Sequence, residues 1–186
     1  MTVDIYELDV TKDASTSFKR TYHWSIDKSA DQDELTLAIG ESFVVNYGVT
    51  VDMTGYTDSD WTLAGNIYVY NPAPMAAHIN SVSDIVSPNI AGTVDFGVSF
   101  PYDLPAGQTL SGTYSASLPD ASDRTNTATA TLQNYAYDSS GIGTASGTTD
   151  FLGTASVSFL DATMTEVDES IDVSDTYAGF LGTVTY

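Results

Sequence analysis

Phe18-Lys19-Arg20-Thr21-Tyr22-His23-Trp24-Ser25-Ile26 is the stretch that decides the fold class. Phe18, Tyr22, Trp24 and Ile26 fall on one side of an extended chain. Lys19, Thr21, His23 and Ser25 fall on the other, and Arg20 interrupts the apolar row. That period of two is the mark of a half-buried β-strand, whose successive side chains point to opposite faces. The same period recurs on both sides. Leu35, Leu37 and Ile39 alternate up to a Gly40-Glu41-Ser42 turn, and Phe43, Val45, Tyr47, Val49 and Val51 resume it, which predicts a hairpin. Further strands are predicted over 61–71, 76–82, 93–100, 108–118, 124–137 and 147–160. Turn chemistry separates them, as at Asn71-Pro72-Ala73-Pro74, Ser87-Pro88-Asn89 and Asp138-Ser139-Ser140-Gly141. No stretch keeps a 3.6-residue period over three turns. Many short strands with such turns predict an antiparallel sandwich.

Composition agrees. About a quarter of the 186 residues are Ser or Thr. Thr, Val, Tyr and Phe suit a pleated surface. The 25 acidic residues outnumber the 5 basic ones, for a net charge of −20. So few cations rule out a nucleic-acid partner held through its phosphates. They also argue against an anionic membrane surface, and no apolar run is long enough for a membrane-spanning helix. There is no cysteine, so no disulfide framework, thiolate nucleophile or Cys-based metal site is expected. No signal peptide is readable.

The residues that could carry chemistry are few. His23 and His78 lie far apart in sequence, which disfavours a His-based zinc site. No Ser sits in a Gly-x-Ser-x-Gly elbow or a Ser-x-x-Lys motif. The chain therefore reads as non-enzymatic. The acidic pairs fall mostly in predicted loops. Asp58 with Asp60 and Asp31 with Asp33 are the candidate calcium ligands, calcium being the one cofactor the chain suggests. Thr125, Thr127, Thr129 and Thr131 put four hydroxyls on one strand face, read as cross-strand pairs. Ser/Thr-rich faces suit O-linked glycans, at no particular site, and no Asn-x-Ser/Thr sequon is present. Trp61, beside Asp58 and Asp60, is the candidate platform for a sugar, whereas Trp24 reads as core.

Several segments together resemble a known domain type: Tyr22-His23-Trp24-Ser25-Ile26-Asp27-Lys28, Gly40-Glu41-Ser42-Phe43-Val44-Val45-Asn46-Tyr47, Gly65-Asn66-Ile67-Tyr68-Val69-Tyr70-Asn71-Pro72, Leu104-Pro105-Ala106-Gly107-Gln108-Thr109-Leu110, Tyr114-Ser115-Ala116-Ser117-Leu118-Pro119-Asp120 and Thr125-Asn126-Thr127-Ala128-Thr129. The stretch from Phe18 to about Leu160 is similar to the immunoglobulin-like β-sandwich domains of microbial surface proteins, adhesins and extracellular fibres. The resemblance implies an extracellular or cell-surface location. Relatives of this type carry cysteines near the positions of Phe96, Gly112, Ser170 and Thr185. Some carry a covalent Lys–Asn or Lys–Asp crosslink, for which Lys19 and Lys28 are the candidates here. Relatives also often continue past the point where this chain ends, so the resemblance implies C-terminal strands that are either incomplete or completed by another chain.

The expected organisation follows. Residues 1–15 form an N-terminal strand and hinge, a candidate donor strand. Residues 16–160 form the sandwich, and residues 161–186 the C-terminal strands. An apolar strand beyond the sandwich can be donated to a neighbour's open sheet edge. Val3, Ile5, Leu8 and Val10 at one end, and Phe180, Leu181 and Val184 at the other, are the expected subunit interface. The expected protein is a homo-oligomer or homopolymer, a filament subunit joined by strand exchange. The second expectation is a monomeric adhesin or carbohydrate-binding module with a glycan partner.

Overall fold

The computed structural model describes residues 5–186; Val3 lies outside them. Among the described residues every regular element is a strand, so the chain is all-β. Two compact units are present. Unit 1 comprises Met1–Phe18 and Asp60–Thr163, and unit 2 comprises Lys19–Ser59 and Met164–Tyr186. This division differs from the expected one: the N-terminal strand belongs with the sandwich, and residues 19–59 belong with the C-terminal strands.

Unit 1 is a two-sheet sandwich. One sheet contains β1 (Asp9–Lys12), the end of β3 (Tyr47–Tyr70), β8 (Thr109–Ser117) and β6 (Thr93–Asp95). β3 pairs with β8 from Thr62↔Ser117 to Tyr70↔Thr109, and with β1 from Asp9↔Tyr70 to Lys12↔Ile67, both antiparallel. The other sheet runs β10 (Gly143–Val157), β9 (Arg124–Tyr137), β4 (Ala77–Val86), β5 (Ile90–Ala91), with β7 (Tyr102–Leu104) also on β4. Alternation fills the space between them. From β4 come Ile79, Val82 and Val86, from β9 Ala128 and Ala130, from β8 Leu110, Tyr114 and Ala116, and from β3 Leu63, Ile67 and Val69. Each large apolar side chain so buried is worth about 1.5–3 kcal/mol relative to exposure.

Unit 2 holds most of β2 (Ser15–Ala30), the first part of β3, β11 (Thr163–Val167), and the two-stranded ribbon of β12 (Ser170–Asp175) and β13 (Gly179–Thr185). β2 lies between β11 and β3. β12 and β13 pair from Ser170↔Thr185 to Asp175↔Gly179, with Leu181 left out of register by a bulge.

The expected hairpin over 35–51 forms only in part. The Gly40 turn is present: Glu41 N–H donates to Ala38 C=O, and Gly40 takes a positive φ. β3, however, starts only at Tyr47, and residues 35–39 are not a strand. Leu35, Leu37, Ile39, Phe43 and Val44 are all exposed. The alternation is real, but nothing in this chain pairs with it among the described residues. The decisive 18–26 stretch is a strand as predicted, yet Ile26 is exposed and Trp24 only half-buried.

Candidate functional site

The N-terminal segment is the first place to look. Its strand is Asp9–Lys12, so the expected hinge at 11–15 is mostly strand. Only Asp13 and Ala14 separate β1 from β2, and Asp13 is tightly held. Its N–H donates to Asn66 C=O at 3.2 Å, its carboxylate accepts Asn66 N–H at 2.8 Å, and its C=O accepts the Tyr114 hydroxyl at 2.6 Å. Leu8 and Val10 are buried in the sandwich core of their own chain, whereas Ile5 is exposed. Gly153 on β10 completes the seat. A Cβ there would lie 2.4 Å from the Val10 carbonyl oxygen, so only glycine lets β10 come this close.

Lys12 continues the parity of Leu8 and Val10 and therefore points inward. Its ammonium donates to Asp84 Oδ1 and sits 3.8 Å from the Tyr114 ring centre. Both side chains of the Lys12–Asp84 pair are fully buried. Asp84 on β4 and Asn126 on β9 are inward-facing diagonal neighbours, since Asp84 opposes Ala128 and Val86 opposes Asn126. Asp84 Oδ2 and both amide atoms of Asn126 are buried without a hydrogen-bond partner. Desolvation lowers the Lys12 pKa against the opposing pull of Asp84. Burial pushes the Tyr114 phenol up to about 12, with Asn126 close enough to oppose that rise. A buried cluster of amine, carboxylate and carboxamide is costly unless satisfied or used.

Sequence reasoning missed this cluster. Lys12 fell within the expected hinge, although the Leu8, Val10, Lys12 parity was visible. The crosslink candidate Lys28 is instead exposed and salt-bridged to Asp175 at 2.6 Å. Lys19 is half-buried in β2 and is not part of the cluster.

The second place is unit 2. Tyr22 stacks on Tyr186 with centroids 4.1 Å apart. Both hydroxyls donate to Glu166 Oε1, holding that carboxyl below its usual range, with the Tyr186 bond the larger cause. Arg20 forks onto Asp58 at 2.7 Å through two nitrogens and lies 3.8 Å from the Tyr56 ring centre. The final residue is thus anchored on β2. A cleft of about 520 Å³ is lined by Lys28, Tyr47, Val49, Asp175, Tyr177, Ala178 and Leu181. Tyr177, Phe180 and Leu181 are exposed, and Val184 is half-buried opposite Ile171.

The calcium candidates do not converge. Asp58 is taken by Arg20, and Asp31 accepts Asn46 N–H and Nδ2–H. Asp33 is exposed, and Asp60 has a positive φ. No group of three metal-ligating side chains exists among the described residues. Trp61 does not offer a free sugar platform: Phe18 stacks on it at 4.8 Å and Phe159 meets it edge-on at 5.0 Å. His23 pairs with Thr57 and His78 with Asp103. The Thr row is a set of cross-strand pairs, with Thr127 opposite Thr154 and Thr129 opposite Ser83.

Ser170 opposes Thr185, and a Cβ on Gly112 would meet the Phe96 ring. Comparison with protein-family models, curated proteins and solved structures returns no match.

Proposed function

We propose that the chain is a structural subunit of an extracellular filament or cell-surface assembly, joined by β-strand addition between copies. One observation carries the reading: residues 35–39 have the alternation of a strand, expose Leu35, Leu37 and Ile39, and belong to no strand pairing among the described residues. A segment of this kind gains its backbone hydrogen bonds by adding to a sheet edge. The β12–β13 ribbon has only two strands and so has an unpaired edge, with Phe180, Leu181 and Tyr177 exposed beside it. The 35–39 segment of one copy adds to the ribbon of the next, and its apolar side chains meet Phe180 and Leu181. Donor and acceptor are different surfaces, so the contact does not close, and repeating it gives a filament.

The N-terminal strand is the weaker candidate for the joint, because Leu8, Val10 and Lys12 already fill the core of their own sandwich. The net charge of −20 keeps single subunits soluble and repels like copies, so assembly is expected to rise with ionic strength. The double variant Leu37→Asp/Ile39→Asp tests the joint. Negative-stain microscopy should show fibres from the parent protein and monodisperse, folded particles from the variant. Fibres from both would remove the 35–39 segment from the joint.

A further inference from the structure

We infer that Lys12 and Asn126 join in an intramolecular amide bond, with Asp84 as the proton carrier. The inference is independent of whether copies assemble. It rests on three inward side chains from three strands. Lys12 comes from one sheet, and Asp84 and Asn126 come from diagonal positions of the facing sheet. The Lys12 ammonium touches Asp84 and lies against Tyr114, and Asn126 also adjoins Tyr114. As an ordinary hydrogen-bonding residue, Asn126 is poorly served: Tyr114 is its polar neighbour, yet neither amide atom reaches hydrogen-bond geometry in a site closed to water. A carboxamide awaiting a nucleophile accounts for that placement.

The chemistry balances without an oxidant or cofactor. In the dry core the Lys12 ammonium passes a proton to the Asp84 carboxylate, leaving a neutral amine and a carboxylic acid. The Nζ lone pair attacks Asn126 Cγ while Asp84 protonates Oδ1, giving a tetrahedral intermediate. Asp84 then takes a proton from Nζ and delivers it to Nδ2. The Cγ–Nδ2 bond breaks, ammonia leaves, and the carbonyl reforms as Oδ1 returns its proton to Asp84. Burial keeps water from competing for Cγ. Attack on Asp84 itself would need an oxygen to leave from the residue that must carry the protons. Asn126 already has a leaving group that becomes neutral on protonation.

The bond would tie β1 to β9 across the sandwich, a staple in a chain without cysteine. The test is the intact mass of the denatured protein, followed by fragmentation of its peptides. The expected mass is one ammonia below that of the sequence, with a branched peptide linking positions 12 and 126. Lys12→Arg and Asp84→Asn should each show the full sequence mass while remaining folded by circular dichroism. A parent protein of full mass overturns the inference. So does a loss of one water with a branch at position 84, or a crosslink that joins two chains into a ladder on a denaturing gel.

Discussion

Lys12 shows how much one buried side chain can decide. Lys12→Met removes both the contact with the fully enclosed Asp84 that exists before the amide forms and the tie from β1 to β9 that exists after it. It should therefore cost about 3–5 kcal/mol in urea denaturation. A cost below about 1 kcal/mol would contradict an inward-facing, bonded Lys12. Asp175 belongs to the opposite regime. It accepts from Lys28 and from the N–H groups of Ala178 and Tyr177, which together hold its carboxyl at about 2, the Lys28 bond being the largest cause. Its folded pKa lies below the ordinary value of 3.8. The stability it lends the β12–β13 turn is thus complete above about pH 4 and is lost as pH falls through about 2. Amide exchange at Tyr177 and Ala178 should accelerate over that window. Lys28→Ala should move the Asp175 titration back toward the ordinary value. An unchanged midpoint in that variant would contradict the assignment.

At the scale of elements, β1 is a strand whose seat is cut to fit. Gly153→Val would drive a side chain into the Val10 carbonyl, and such overpacking costs about 1–3 kcal/mol. Urea denaturation should show that loss, and an unchanged midpoint would mean that β10 does not close over β1. The ribbon offers a gain instead. Ser170 and Thr185 are cross-strand partners, at a separation a disulfide can bridge. The double variant Ser170→Cys/Thr185→Cys should oxidise to a single chain with an unchanged circular dichroism spectrum. Persistent free thiols under air would contradict the register. The strands around the core were legible in the sequence because Leu63, Ile67, Val69 and Ile79, Val82, Val86 follow the pleat with only local breaks. The seat of β1 was less so. Thr11-Lys12-Asp13 reads as polar linker until Lys12 is placed on the same face as Leu8 and Val10, and a buried lysine is rare enough to be discounted.

For the whole molecule, period two and composition were enough for the all-β class, while the division into two units was not visible. β2 and β3 each continue through both units, so no linker or change of composition marks the boundary. The calcium and sugar candidates were read from neighbours in sequence, and folding gives Asp58 and Trp61 other partners. Arg20 reaches Asp58 from β2, and Phe18, also on β2, and Phe159, just past β10, reach Trp61. The 35–39 stretch was read as a strand because alternation reports the demand for a partner and not its presence. That unmet demand is what the proposed assembly satisfies.

Negative-stain microscopy of the purified protein across a salt series tests that assembly most directly, with Leu37→Asp/Ile39→Asp alongside. The account expects fibres from the parent chain, increasing with salt, and none from the folded variant. Monodisperse parent particles at every salt concentration would contradict it.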